Sequence, residues 1–249
     1  MKAKVFVMMG IVLAIAGCHS SSKQAKTSSP HEEKSVEAKP VKSSDFQDKF
    51  DVQKSDLSAR GVGRYIILQP GRRAEYESKE GKLVITVLPE TKTVDGVQTA
   101  VVEERESEGG KLKEVSRNFF AINRKTGDVY YFGEEVDIYK DGKVVDHEGA
   151  WMSGQNGAHF GMLIPGQPRV GQKFYAELAP KVAMDRCEVK ETGAKVQTPL
   201  LGTFNDCMKI DETTPLEKGT SHKVYAPGIG LIQDDEMMLV RVEGGAGGQ

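Results

Sequence analysis

From residue 83 to residue 242 the apolar side chains recur at every second position, in short runs broken by glycine, proline and Asp-Gly turns. Successive side chains point to opposite faces only in extended chain, so this rhythm calls for β-strands with one face buried. The run 83–88 (LVITVL) predicts a strongly apolar strand, and 97–102 follows it after the turn Asp95-Gly96. A strand over 115–122 leads through the polar turn 123–128 into the aromatic stretch 129–132. The pair 136–139 and 143–145 flanks Lys140-Asp141-Gly142, whose turn chemistry tolerates positive φ. Further strands are expected at 173–178, 182–191, 203–211, 221–226 and 236–242. One short helix is expected, over 45–57, where Phe46 and Phe50 stand at i and i+4. The fold expected is all-β: a single antiparallel sandwich or a curved half-barrel, two forms that local sequence does not separate.

The N-terminus has a different chemistry. Lys2 and Lys4 precede an apolar run over 5–16, followed by Gly17-Cys18. The run is shorter than the ~20 residues that a membrane-spanning helix needs, and it matches the apolar region of a signal peptide. Ile15-Ala16-Gly17-Cys18 looks like a lipobox, in which small side chains admit the backbone to a peptidase and the Cys18 thiol accepts the lipid. Several acyl chains at ~0.8 kcal/mol per buried methylene make a stable anchor. His19 follows the cysteine where an inner-membrane retention signal would place aspartate, which implies an outer-membrane destination in a two-membrane cell. Residues 19–45 carry eight serines and two prolines, too little apolar surface to fold. As a flexible tether they span roughly 30 Å. The resulting division is a signal peptide at 1–17, a lipidated tether at 18–60 holding the short helix, a β domain at 61–243 and a glycine-rich tail at 244–249.

Loss of residues 1–17 removes Lys2 and Lys4 and takes the formal net charge from −2 to −4. Such a weakly acidic chain lacks the basic footprint of a nucleic-acid binder. The five histidines, His19, His31, His147, His159 and His222, form no metal-ligand spacing. Ser153 lacks the nucleophile elbow, and a glycine-rich loop explains its proximity in sequence to Asp146 and His159. Gly61-Val62-Gly63 lacks the lysine and helix of a phosphate loop. Glu134 and Glu135 alternate sides of a strand and cannot work as a pair. No catalytic residue, metal ligand or cofactor is expected beyond the lipid on Cys18.

Two features remain. The segment 147–171 reads as a long glycine-rich loop with little strand pattern and holds the only tryptophan; Trp151, Phe160 and Met162 would either line a ligand or partner cleft or cap the core, the cap being favoured. Cys187 and Cys207, in an exported chain, invite a disulfide. Direct opposition would place Phe204 across from Lys190 and mix faces, so the bond requires a β-bulge.

The second half resembles a family of exported bacterial β-rich proteins and lipoproteins of unknown function. The resemblance rests on Tyr131-Phe132-Gly133-Glu134, Glu148-Gly149-Ala150-Trp151, Gly161-Met162-Leu163-Ile164-Pro165, Val170-Gly171, Gly202-Thr203-Phe204-Asn205-Asp206-Cys207 and Tyr225-Ala226-Pro227-Gly228-Ile229-Gly230-Leu231. It implies an exported β fold and no catalytic residues. The sequence therefore reads as a non-enzyme: a membrane-anchored envelope lipoprotein with a binding or structural role, its partner an envelope protein. The alternative is a carrier or sensor holding an apolar ligand in a curved sheet. A hydrolase makes the largest demands on the sequence and finds the least support there.

Overall fold

Tight turns between long strands dictate neighbours in the sheet, and the chain is dominated by them. In the computed structural model, which describes residues 45–244, a short 3-10 turn (Lys54–Asp56) precedes eighteen strands. The first eight are β1 (Leu57–Ser58), β2 (Gly61–Val62), β3 (Ile67–Leu68), β4 (Arg73–Glu77), β5 (Gly81–Val94), β6 (Val97–Glu108), β7 (Lys111–Asn123) and β8 (Val129–Lys140). Next come β9 (Lys143–Asp146), β10 (Trp151–Met152), β11 (His159–Ile164), β12 (Lys173–Tyr175) and β13 (Glu177–Leu178). The last five are β14 (Arg186–Thr198), β15 (Gly202–Thr213), β16 (Ser221–Ala226), β17 (Gly230–Asp234) and β18 (Met237–Glu243). The signal peptide, Cys18, most of the tether and tail residues 245–249 lie outside the described residues.

The domain is all-β, as the alternation predicts, with its main strands in one antiparallel sheet. Its order is β12-β14-β15-β16-β17-β18-β4-β5-β6-β7-β8-β11-β13, with β1, β9 and β10 joined to it at β7 and β8. The strands β12 and β13 stand at the two ends of this path, yet only Ala176 separates them in the chain. The segment pairs with β14 through residues 173–175 and with β11 through Glu177 and Leu178. The carbonyl of Asp185 accepts the Ala176 and Glu177 N–H groups as well, at 2.8 and 3.1 Å. One stretch of backbone thus stitches the two ends of the sheet and nearly closes it into a barrel. The curvature goes further than the expected half-barrel.

Turn chemistry fixes the hairpins as read. Asp95 and Gly96 both adopt positive φ, 49° and 74°, in a two-residue turn between Val94 and Val97. Two adjoining hydrophobic clusters fill much of the interior, the larger around Phe119, Phe132, Ile164 and Phe174, the smaller around Tyr76, Leu83, Ile232 and Leu239.

Three expectations are corrected. The helix over 45–57 is mostly extended chain, with a 3-10 turn at Lys54–Asp56: Gln47 bridges β12 through backbone hydrogen bonds to Lys173 and Tyr175. Extension sends the two phenylalanines to separate partners, Phe46 to Tyr175 and Phe50 to Tyr130, so the chain joins the fold before residue 61. The segment 147–171 contains the strands β10 and β11 as well as loop. Its alternation is masked by Gly161, where a Cβ would lie 2.3 Å from the Ala176 carbonyl oxygen. Finally, the β14–β15 turn is centred on Leu200, which pairs Cys187 with Glu212 and Cys207 with Ala194. Both thiols are free and buried, and no disulfide joins them.

Gly161 sits on the stitch itself. The variant Gly161→Ala must push the backbone of 175–176 away from β11, and its unfolding free energy in urea should fall by more than about 2 kcal/mol. An unchanged urea midpoint would contradict the closure described here.

Candidate functional site: a carboxyl-lined lumen

Cross-strand register shows which residues share the inner face. Ala74, Ile85, Glu104, Ser116 and Val136 form one row across β4 to β8. Val87, Val102, Asn118 and Glu134 form the next. On the facing wall, Phe174, Cys187, Glu212 and Ser221 form a row, and Val189, Ile210, Lys223 and Asp234 another. Each row mixes apolar and polar side chains. On both walls the polar members include carboxyl groups.

Between the walls lies a cavity of about 170 Å³. Its lining mixes apolar side chains, Ile85, Val87, Val102, Phe120, Leu163 and Leu231, with the charged groups of Glu104, Glu177, Asp185, Glu212, Asp234 and Lys223. A cavity of this size has room for on the order of ten water-sized groups. Glu134, buried behind it, interacts electrostatically with Glu104 and Asp185.

The six carboxyls and one ammonium are unevenly matched. Lys223 Nζ lies 3.0 Å from Asp234 and 3.4 Å from Glu212, and it is raised well above its ordinary pKa: burial works against its charge, and the two carboxylates more than reverse that. Ser221 Oγ donates to Asp234 at 3.2 Å and to Asp235 at 2.9 Å, which holds the β16–β17 end of this group in place. Glu104, Glu134, Glu177 and Asp185 form no ion pair among the described residues. Burial pushes Glu104 up to about 7 and Glu134 up to about 8, the latter with help from the charge of Glu114. Glu177 and Asp185 rise well above the carboxylate range for the same reason, reinforced by neighbouring acids. Glu212 rises less freely, because burial raises it while Lys223 pulls it down. Tyr131 donates its hydroxyl proton to Asn118 Oδ1, and the Asn118 amide donates to the Val102 carbonyl and Ser116 Oγ at 3.3 and 3.1 Å.

The residues singled out from sequence lie around this lumen rather than in it. Trp151 and Met162 are buried in the larger cluster, and Phe160 packs on it, stacked on Phe132 at 4.9 Å between centroids. The apolar members of 147–171 thus close the core. Trp151 also pairs with Glu134 across β10 and β8, and its indole N–H, directed at the Glu177 carboxyl, pulls that group down against burial. Ser153 donates its hydroxyl to Asp95 at 3.0 Å, and Asp146 accepts the His147 N–H, so Asp146, Ser153 and His159 form no relay. Cys187 is buried beside Glu212, and burial first, then that carboxylate, pushes its thiol up. Glu134 is buried and Glu135 exposed, the alternation expected of them. Among the described residues no three or more His, Cys, Asp or Glu converge to hold a metal ion.

The site itself escaped the sequence reading. Its signal is the continuation of period two past Val102, in Ala100, Val102, Glu104 and Glu106, matched by Phe120, Asn118, Ser116 and Glu114 on β7. A strand whose inner face turns polar resembles surface chain.

The raised carboxyls set a pH dependence. The folded chain keeps protons that the unfolded chain releases above about pH 4.5, so their contribution to stability is complete below that value and is lost as pH rises through 7 and 8. Melting temperature should therefore fall between about pH 5 and pH 8, and Glu104→Gln, which keeps the neutral shape, should flatten that slope. A melting temperature that climbs across this interval, or an unaltered slope in the variant, would contradict the assignment.

No protein-family model matches the chain, and no curated protein matches it. Among solved structures it is similar to a Bacteroides fragilis protein described as exported and having a YmcC-like fold. The TM-score is 0.39 and the identity 15%, over 74% of this chain and 100% of that one.

Proposed function

We propose that this chain is an exported, lipid-anchored envelope protein that binds a small ligand inside its barrel and catalyses no reaction. The observation that carries the reading is the cavity of about 170 Å³, whose lining combines aliphatic and aromatic side chains with carboxyls. A structural or docking protein has no use for a hollow interior lined by unpaired carboxyls. Filling that space with aliphatic side chains would have been the more stable solution. A ligand that meets both kinds of side chain gives the arrangement a purpose, as carrier or sensor.

The absence of catalysis rests on how the reactive groups are engaged. The Ser153 hydroxyl is committed to Asp95, and the Cys187 and Cys207 thiols are both pushed up by burial, away from the thiolate form that attacks. Anchorage rests on Lys2, Lys4, the apolar run and Ala16-Gly17-Cys18. The lipid on Cys18 is the membrane partner, the cell envelope the location, and the outer membrane the destination where the cell has one. No other cofactor is required.

Both halves of the proposal are testable with one substitution. Wild-type protein should incorporate labelled palmitate and fractionate with membranes; a Cys18→Ser chain exported behind a conventional secretory signal should do neither. Native mass spectrometry of that soluble chain, purified gently, should show a small-molecule mass that Val102→Trp, which fills the cavity, abolishes while retaining the β circular-dichroism spectrum. A ligand-free mass spectrum in both chains would overturn the carrier reading, and palmitate labelling of the Cys18→Ser chain would overturn the anchor.

A further inference from the structure

In an antiparallel sheet successive turns alternate between its two ends. One end therefore holds the turns 95–96, 124–128, 199–201 and 227–229, with the close of β11 and the start of β12. Residues 59–66 cross this end: Ser58 pairs with Ile122 at the close of β7, and the Arg64 carbonyl accepts the Gly228 N–H at 2.8 Å. The loop 165–172 lies against the turn 124–128, where the Gly166 N–H donates to Asp128 at 2.7 Å.

This end leaves apolar groups in water. Pro199, Leu200 and Leu201 make a three-residue turn between the paired Thr198 and Gly202. Such turns ordinarily carry polar residues or glycine, yet Leu200 is 68% exposed and Leu201 39%. Because β15 pairs with β16 only from Met208 onward, the tip stands beyond its neighbour's ladder. Val62 on the crossing segment and Val170 on the loop 165–172 are exposed as well. The exposed apolar residues of the other end are Val182 and, on β9, Val144 and Val145 between Lys143 and Asp146, charges that guard a sheet edge.

Charge divides the two ends in the same way. The turns, crossing segment and loop of the first end hold Arg60, Arg64, Arg124, Lys125 and Arg169 against Asp95 and Asp128. Both acids are engaged, Asp95 by Lys54 at 2.9 Å and Asp128 by Thr126 Oγ1 at 2.6 Å. Arg64, Arg124 and Arg169 are exposed and form no ion pair among the described residues. The opposite turns 78–80, 109–110, 141–142, 214–220 and 235–236 hold two basic residues, Lys79 and Lys218, and five acids.

The course of the N-terminal chain says what covers the first end. Gln47 bridges Phe174 in the parallel sense, so the chain before it comes from the side of the loop 165–172. Gln47, Lys125, Arg169 and Val170 border one surface cleft. The stretch 19–44, a span of roughly 30 Å as a flexible chain, thus connects Cys18 to the apolar, basic end. Burial of apolar side chains at the headgroup–acyl boundary and attraction of basic ones to anionic headgroups reinforce each other. We propose that this end of the barrel lies on the bilayer, with Leu200 and Leu201 dipping into the boundary and Arg64, Arg124 and Arg169 on anionic headgroups. The proposal rests on the anchored reading for the nearness of a membrane; the contact itself needs no lipid on Cys18.

The test is flotation of the full chain carrying Cys18→Ser behind a conventional secretory signal, which separates this contact from the anchor. The probes are vesicles of phosphatidylethanolamine and phosphatidylglycerol in equal parts, and vesicles of phosphatidylcholine. Partition into the anionic vesicles should exceed that into the neutral ones at least tenfold. Leu200→Ser with Leu201→Ser should lower partition at least tenfold, and Arg64→Gln with Arg169→Gln should lower the anionic preference at least threefold, each with an unchanged circular-dichroism spectrum. Val144→Ser with Val145→Ser, at the other end, should change neither quantity. Absence of partition into both vesicles, or partition that ignores the leucine and arginine substitutions, would overturn the contact and leave an anchor shown by palmitate labelling standing. A chain that stays in the aqueous phase as a dimer dissolved by Leu200→Ser would overturn the bilayer in favour of a second copy.

Discussion

The closure of the sheet depends on a single short stretch of backbone. Residues 173–175 hydrogen-bond to β14, the next two residues turn to β11 and the carbonyl of Asp185, and the two ends of a long sheet are thereby joined. Closure removes a pair of sheet edges that would otherwise invite pairing with other chains. It also decides what the inner face is. With the seam closed, side chains on β6 and β8 face those on β15, β16 and β17 across a narrow space. Acids that would lie in water on an open sheet become luminal. Glycine at 161 is what lets the two backbones approach closely enough.

Once enclosed, the carboxyls oppose folding. The hydrophobic clusters around Phe119, Phe132 and Ile232 have to outweigh them, and Lys223 relieves only two of the group. Proteins retain such unfavourable arrangements where they are used, and strongly shifted carboxyls in a cleft are a recurrent mark of a working site. A cavity lined by both apolar side chains and carboxyls gives that general expectation a definite form here.

How much of this was legible in the sequence follows from the same geometry. Turns announce themselves locally, so Asp95-Gly96 and Lys140-Asp141-Gly142 mark their hairpins. Apolar alternation marks β5, β7 and β8 wherever the inner face is apolar. It stops short at Val102, because from Glu104 onward β6 faces a polar lumen and the pattern reads as surface although the strand runs to Glu108. The stitch left no pattern at all: Ala176 is an unremarkable residue, and Gly161 reads as a loop glycine. Phe46 and Phe50 misled, because i, i+4 spacing suits a helix and an extended chain with two separate partners equally well. The cysteines failed as a pair because a hairpin centred on Leu200 cannot bring them to the same rung.

The central claim is that barrel closure holds luminal glutamates in a protonated state, and it can be measured without knowing any ligand. Carbon-13 chemical shifts of the side-chain carboxyls, followed in glutamate-labelled protein from about pH 3 to about pH 9 with Glu104→Gln and Glu134→Gln for assignment, report each group directly. Glu104 and Glu134 should titrate with midpoints near 7 and 8, well apart from the surface glutamates. Midpoints for both below about pH 5 would show a lumen open to bulk water and would contradict the structure-based reading of this site.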